Sequence, residues 1–336
     1  MQSLVLRRGA SRRQFLRALS STAAALGIVP TITASAAEQP CAASAPEARR
    51  CSFWIDLLSG EPISEKELFD DLATVRVIYL GERHTVQRHH DLETRVVTEL
   101  AKRGVRLVLG LEPMEALHQP VLDRYAKKQL SFDQLAEASQ WSKRWRGYEQ
   151  YKPVLEAALQ AQALILALNA RFETIRQIAR SGGVERLAPS LRRELPAAMQ
   201  LKDPAYERLL RLQMMVHASA SPERLRPMVE AQIARDEAMA FVLASLLESP
   251  AGQGRTAVVV CGSGHIDYGL GTPARVRRRM PGVKDRIVLL SESGDVELTP
   301  EERAMARPIT ISHDQLRELD RPIGDYLHAT SPKSEQ

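Results

Sequence analysis

Aromatic residues make up only 5% of this sequence, and cysteine occurs three times in 336 residues. The first scarcity argues against the stacked aromatic platforms that hold single-stranded nucleic acid. The second excludes a small scaffold stapled by many disulfides. Acidic residues are missing altogether from residues 1–36, which carry Arg7, Arg8, Arg12, Arg13 and Arg17. The formal net charge of +5 therefore belongs to this leader: set its five arginines aside and 41 basic residues face 41 acidic ones. A neutral body has no bulk electrostatic pull toward nucleic acid or anionic lipid, so neither is an expected partner. With 44% hydrophobic and 26% charged residues, the chain is an ordinary globular one rather than a disordered or collagen-like one.

The leader reads as an export signal. Ser11-Arg12-Arg13-Gln14-Phe15-Leu16 precedes a mildly apolar stretch that runs to Val29 and is broken by Pro30, and Ala34-Ser35-Ala36 supplies small residues for cleavage. Paired arginines beside Phe-Leu are similar to the twin-arginine signal of bacteria, so residues 1–36 are predicted to direct the chain to the periplasm or otherwise out of the cytoplasm. The apolar run is too short, and too interrupted by Ser, Thr and Gly, to span a membrane, and no span is expected in the mature chain. Cys41 lacks the sequence that precedes a lipidated cysteine. Cys41 and Cys51 could pair in an oxidising compartment or remain free thiols, whereas Cys261 lies in an apolar run and is expected in the core.

Residues 37–51, rich in Ala, Pro and Glu, read as a linker. Apolar, partly β-branched runs then predict strands at Val75–Leu80, Arg106–Leu111, Leu164–Leu168, Thr256–Cys261 and Arg286–Leu290. Helical periodicity predicts a helix over His90–Lys102 and a long one from Pro222 to about Leu247, with Leu225, Met228, Val229, Gln232, Ile233 and Asp236 on one face. Short strands alternating with helices imply an α/β fold: a mainly parallel β-sheet flanked by helices, with a large helical insertion between the third and fourth strands. The domain is placed at 52–299, and the polar residues 300–336 are expected to be a separate C-terminal extension.

In an open parallel sheet, ligands bind beyond the carboxyl ends of the strands, so the informative residues are those on which each run ends. The first ends in Gly81-Glu82-Arg83-His84, the second in Glu112, the third in Asn169 and the fourth in Gly262-Ser263-Gly264-His265. A cleft there would collect carboxylates, an amide and imidazoles. His84, His265, Glu82 and Glu112 would suit a divalent transition metal such as manganese, cobalt or zinc, or the same groups could line a pocket for a larger iron-containing ligand. His89 and His90 begin the first helix, within reach of that cleft or on the surface. Trp141, Trp145, Tyr148 and Tyr151 fall at helical spacing and are expected to form one stripe, packed in the core or stacked on a flat ligand. Tyr268 could offer a phenolate to ferric iron or simply pack. Gln232 and Asp236 could enter the cleft or cap nearby loops, and Arg277, Arg278 and Arg279 read as a solvated face able to hold carboxylates.

These residues resemble the ChaN-like haem-binding uptake proteins. The likeness rests on Gly81-Glu82-Arg83-His84 with His89-His90, Leu109-Gly110-Leu111-Glu112-Pro113, Trp145, Tyr151-Lys152-Pro153-Val154-Leu155, and Ala167-Leu168-Asn169. It continues through Ala231-Gln232, Asp236–Ala240, and Gly262–His265 leading to Tyr268–Pro273, so that it covers about residues 52–291. The resemblance implies haem binding in a family where haem pairs can lie face to face between two subunits, hence a homodimer. On that reading His84, His89, His90, Tyr148, Asn169, His265 and Tyr268 are the candidate haem-contacting residues. The family belongs to the wider Tiki and TraB-like group, some members of which are metal-dependent proteases. Glu82, His84, Glu112 and His265 match that group's pattern, which implies as the alternative a metal-dependent hydrolase with Glu82 or Glu112 as general base. Thr85 departs from the acidic or amide residue expected after the first histidine.

Overall fold

The central strands are apolar at successive positions because both faces of the sheet are covered. The computed structural model describes residues 52–217, 222–290 and 322–330. The leader, the linker and Cys41 and Cys51 lie outside them. In chain order come β1 (Ser52–Asp56), β2 (Glu61–Ile63), α1 (Glu65–Leu72), β3 (Val77–Glu82), α2 (Gln87–Lys102) and β4 (Leu107–Glu115). Next are α3 (Gln119–Ala126), α4 (Phe132–Ala138), α5 (Trp141–Arg144), α6 (Lys152–Gln160), β5 (Leu164–Asn169), α7 (Phe172–Ser181) and α8 (Pro189–Arg192). The remainder is α9 (Pro204–His217), α10 (Pro222–Glu248), β6 (Thr256–Gly262), α11 (Thr272–Arg279), β7 (Asp285–Leu290) and β8 (Tyr326–Thr330).

The strands form one sheet in the order β2-β1-β8-β7-β3-β6-β4-β5. From β8 through β5 all neighbours are parallel, whereas β1 pairs antiparallel with both β2 and β8. The two-residue period of the strands divides the core. Ile78, Leu80, Leu109, Leu111, Val258 and Val260 pack against α1, α2 and α6, through Phe69, Val96, Leu100, Val154 and Leu155. Val77, Tyr79, Val108, Val259 and Cys261 face the other way, onto Met239, Ala240, Leu243 and Leu247 of α10 and Val276 of α11. Each fully buried aliphatic side chain of this kind contributes about 1.5–3 kcal/mol of transfer free energy. Helix α1 starts in a capping box, Ser64 accepting from the Glu67 amide while Glu67 accepts from that of Ser64. Among the described residues no helix is long and apolar enough to cross a membrane.

The five expected strands and both expected helices are present with ends shifted by a few residues. The polar tail is a correction. Tyr326–Thr330 is not an appendage: it enters the sheet between β7 and β1. Polar groups hold it there. Asp325 Oδ2 accepts from the Ile287 amide at 2.8 Å, and Tyr326 Oη donates at 2.7 Å to Asp71, which also binds Arg286. The domain therefore extends past residue 299, to Thr330. Five residues of mixed polarity carry too little alternation to be read as a strand. Ending the chain at residue 321 would expose the edges of both β7 and β1. The expected result is aggregation and a melting temperature lower by on the order of 10 °C, read by thermal denaturation; an unchanged melting temperature would show that β8 is dispensable.

Candidate functional site

Strand β6 lies between β3 and β4, and the parallel register places Glu82 beside Gly262 and Leu111 beside Val260. Glu82 and Glu112 thus flank the end of β6 from opposite sides. Between Leu111 and Glu115 the β4–β5 register shifts. Pro113 lies within this irregularity, where its missing N–H costs no ladder bond, and its carbonyl accepts from Trp141 Nε1 at 2.7 Å.

One half of the site is built around His265, in the turn after β6. Its Nε2 lies 3.1 Å from Glu112 Oε1, and its Nδ1 donates to Asp236 Oδ1 at 2.7 Å. Both carboxylates are anchored further: Glu112 Oε2 accepts from the Gly262 amide at 2.7 Å, and Asp236 accepts from Thr272 Oγ1 at 2.8 Å and Tyr206 Oη at 2.7 Å. The Gln232 side-chain amide lies 3.0 Å from His265 Nδ1. Burial opposes charge on this imidazole, but Glu112 and Asp236 outweigh it and push it up to about 10. Burial would likewise raise the Glu112 carboxyl; His265, followed by His84 and Arg235, instead holds it well below the usual range. His265 is therefore an imidazolium with both ring nitrogens committed to carboxylates.

The other half gathers on Glu82. His84 Nδ1 donates to Glu82 Oε1 at 2.8 Å, and Tyr151 Oη donates to the same oxygen at 2.5 Å. Despite burial, these bonds and the charge of the nearby histidines hold Glu82 below its ordinary value. His90 Nδ1 lies 3.0 Å from Glu93 Oε2 and 3.4 Å from Glu82 Oε2, and its Nε2 lies 3.2 Å from the His84 carbonyl oxygen. Burial first, then the charge of Glu82, raises Glu93 well above a normal carboxyl and favours its neutral form. His89 Nδ1 accepts from the Arg83 amide at 2.9 Å, which pins the loop after β3. Burial lowers the His89 imidazole to about 4 and keeps it neutral.

The two halves meet at Gly262. A Cβ there would stand 2.9 Å from His84 Nε2 and 3.6 Å from Glu112 Oε2. Only a glycine lets the β6 backbone pass this close to the imidazole. The structure therefore brings Glu82, His84, Glu112 and His265 to one place, as the strand ends implied. Among the described residues, the compact trio able to present one ligand atom each within 4.8 Å is nevertheless Glu82, His90 and Glu93, not those four. Glu93, three residues after His90 on α2, was missed although that spacing puts both on one helix face.

The aromatic residues cluster, but not as a single helical stripe. Helix α5 ends at Arg144, Trp145 is extended, and Gly147 turns the chain at φ 74° before a 3₁₀ turn over Tyr148–Tyr151. Tyr148 stacks on Phe132 at 6.1 Å, and the Trp145 ring stands edge-on to His84 at 4.7 Å. Tyr268 adopts φ 58° and packs beside Tyr206, Leu209 and Leu210, outside the clefts described next. Arg277 pairs with Asp285, while Arg278 and Arg279 converge on buried Glu237, so that face does hold carboxylates.

Two adjoining hollows, of about 380 and 830 Å³, open beyond the ends of β4 and β5 and share Arg144, Asn169 and Ala170. The smaller is walled by Met114, Trp141, Trp145 and Phe172, the larger by Leu117, Leu168 and Phe241. Leu117, Phe172 and Phe241 are each about half exposed (51%, 49% and 49%), an apolar rim that costs stability unless something covers it. Trp145 joins the smaller hollow to the polar cluster, since its Nε1 donates to Tyr151 Oη at 3.3 Å. Sequence reading found Asn169 but not the rim, because half-exposed apolar residues on separate elements have no common period.

The family described as "Haem-binding uptake, Tiki superfamily, ChaN" matches residues 68–276. A structure of cofacial haem binding to ChaN of Campylobacter jejuni is similar over 85% of this chain and 99% of that one, with a TM-score of 0.61 and 19% identity. At that identity the likeness is one of fold. The type III effector HopBA1 is more distant, with a TM-score of 0.40, 13% identity and 78% and 90% of the two chains covered. So is an erythromycin esterase variant, EreC, in its open conformation: TM-score 0.43, 13% identity, 72% and 77% covered. No curated protein sequence matches the chain.

Proposed function

The chain belongs to the ChaN haem-binding uptake family of the Tiki superfamily, and from that premise we propose that it is an exported haem-binding protein serving haem or iron uptake or handling. The observation that carries this reading is the apolar-rimmed cleft opening beside an imidazole–carboxylate cluster. Its joint volume and half-exposed Leu117, Phe172 and Phe241 suit a large planar apolar ligand. His84 is the residue that would hold the iron in this proposal. Its Nδ1 is held by Glu82, the carboxylate partner that a metal-bound imidazole uses to fix its tautomer. Its Nε2, which abuts Gly262 and whose proton, despite burial, is favoured by Glu82 and Glu112, would have to lose that proton to serve. His265 would have to surrender a carboxylate to serve. Neither His84 nor Tyr268 lines the hollows, but His84 meets the wall residue Trp145 edge-on at 4.7 Å, whereas Tyr268 packs against the cluster of Tyr206, Leu209 and Leu210. Export by the twin-arginine leader and a homodimer with facing haems complete the proposal.

A divalent ion such as manganese, cobalt or zinc is the second reading, with a hydrolase as its consequence. It is favoured by Glu82, His90 and Glu93, which are buried and present one ligand atom each within 4.8 Å of one another. Glu93, whose protonated form is favoured by burial and by Glu82, would have to give up its proton to serve there. Hemin titrated into the purified chain is expected to develop a shifted Soret band that saturates at one equivalent per subunit and is lost in His84→Ala. No shift, together with one equivalent of zinc, cobalt or manganese by elemental analysis, would replace the first reading with the second.

A further inference from the structure

Among the described residues, the smaller hollow contains a guanidinium with no ion pair. Arg144 is spent, its Nη1 on Glu115 at 2.7 Å and its Nη2 on Glu173 at 3.1 Å. Arg171, on the rim of the larger hollow, is spent on Glu173 and Glu194. Arg235, projecting from α10 into the smaller hollow, is not: its Nε is buried without a hydrogen-bond partner, and its guanidinium forms no ion pair among the described residues. The carboxylate electrostatically coupled to it, Glu112, already has both oxygens committed to His265 and the Gly262 amide. Asn169 lines the same hollow, is 7% exposed, and its Oδ1 also lacks a partner. A half-turn of the amide would present its NH₂ instead.

A guanidinium kept partly from water and unpaired is costly, and the cost is recovered when a carboxylate arrives, because the planar fork matches a carboxylate with two parallel hydrogen bonds. The surrounding walls are aromatic and apolar, so the ligand that fits carries an acid group on a flat apolar body. We infer that Arg235, with Asn169 in the same hollow, is the anchor for a propionate carboxylate of the tetrapyrrole, so that the protein recognises the acid edge of its ligand independently of the iron. This rests on the haem reading and extends it: the anchor would set orientation, since Arg235 would hold the acid edge of the ligand at α10.

Iron-free protoporphyrin IX and its dimethyl ester separate the anchor from axial ligation. Binding of each to the full chain is followed by quenching of tryptophan fluorescence, since Trp141 and Trp145 form the wall. The wild type should bind the diacid at least about tenfold more tightly than the ester, the value of a charge-assisted hydrogen bond. In Arg235→Gln that preference should vanish while ester affinity stays, and Arg235→Lys should restore part of it. Far-ultraviolet circular dichroism and the thermal midpoint of Arg235→Gln report that the variant is folded. If Arg235→Gln keeps the wild-type preference for the diacid while hemin still binds, the anchor assignment is wrong and the haem reading stands. If the wild type binds neither hemin nor porphyrin, both are wrong.

Discussion

His265→Ala is expected to lower folding stability by about 3–5 kcal/mol, the usual cost of leaving a buried charge without its partner. The cost is at the high end of single substitutions because two carboxylates, Glu112 and Asp236, lose the cation they share, and both are essentially inaccessible to water. Neither can be rescued by its remaining hydrogen bonds, since the Gly262 amide, Thr272 and Tyr206 are already in use. The pH dependence of stability identifies the cause. The His265 imidazole, ordinarily at 6.5, is raised to about 10 in the folded protein, so its contribution is complete below 6.5 and is lost as pH climbs toward 10. The Glu112 carboxyl is depressed from 4.5, so its contribution is present above that value and is lost as pH falls. His89 and His328, both lowered by burial to about 4 from an ordinary 6.5, lose their contributions as pH falls below 6.5. Chelator-treated wild type should therefore be most stable near pH 6.5, with a decline on the alkaline side that flattens in His265→Ala. Urea denaturation from pH 4 to 10 is the measurement. A loss below about 1 kcal/mol near pH 6 would mean that His265 is not the shared counterion.

Gly271→Ala is expected to abolish folding or to cost more than about 4 kcal/mol, a range reached only by overpacking or comparable insults. A Cβ at this position would lie 2.0 Å from the His265 carbonyl oxygen, 2.7 Å from its carbon and 3.0 Å from Tyr206 Oη. Neither side can yield. Thr272 is bound to Asp236, and the Gly271 carbonyl accepts from buried Arg275, while His265 is held at both ring nitrogens. Gly282→Ala is the contrasting control. Its φ is +81°, but nothing lies within 4 Å of the added Cβ, so it should cost only the 1–2 kcal/mol, approximately, of left-handed backbone strain. Soluble yield and denaturant midpoint compare the two. Similar losses at both positions would show that conformation rather than contact governs Gly271.

Much of the site is legible in the chain because a parallel sheet makes strand ends local landmarks. An apolar run followed by Glu82 or by Gly262–His265 delivers that residue to the ligand edge whatever the rest of the fold does. The same logic fails for groups whose role depends on a partner far along the chain. Asp236 and Tyr206 converge on His265 from two helices, and no spacing announces it. The aromatic residues from Trp141 to Tyr151 have helical spacing, yet Gly147 turns the chain and sends them to separate tasks: Tyr151 to Glu82, Trp145 to His84 and Tyr148 to Phe132.

From residue order alone come the α/β class, the five core strands, the long α10 helix and the choice of Glu82, His84, Glu112 and His265 as the residues to examine. All of these depend on periodicity and on neighbours a few positions away. The tertiary structure alone decided that β8 completes the sheet, that His265 is a doubly held cation, that burial and Glu82 push the Glu93 carboxyl up, and that Arg235 has no ion pair among the described residues. Protonation and pairing are set by burial and by charges a few ångströms away in space, and distance in space is what a linear pattern does not encode.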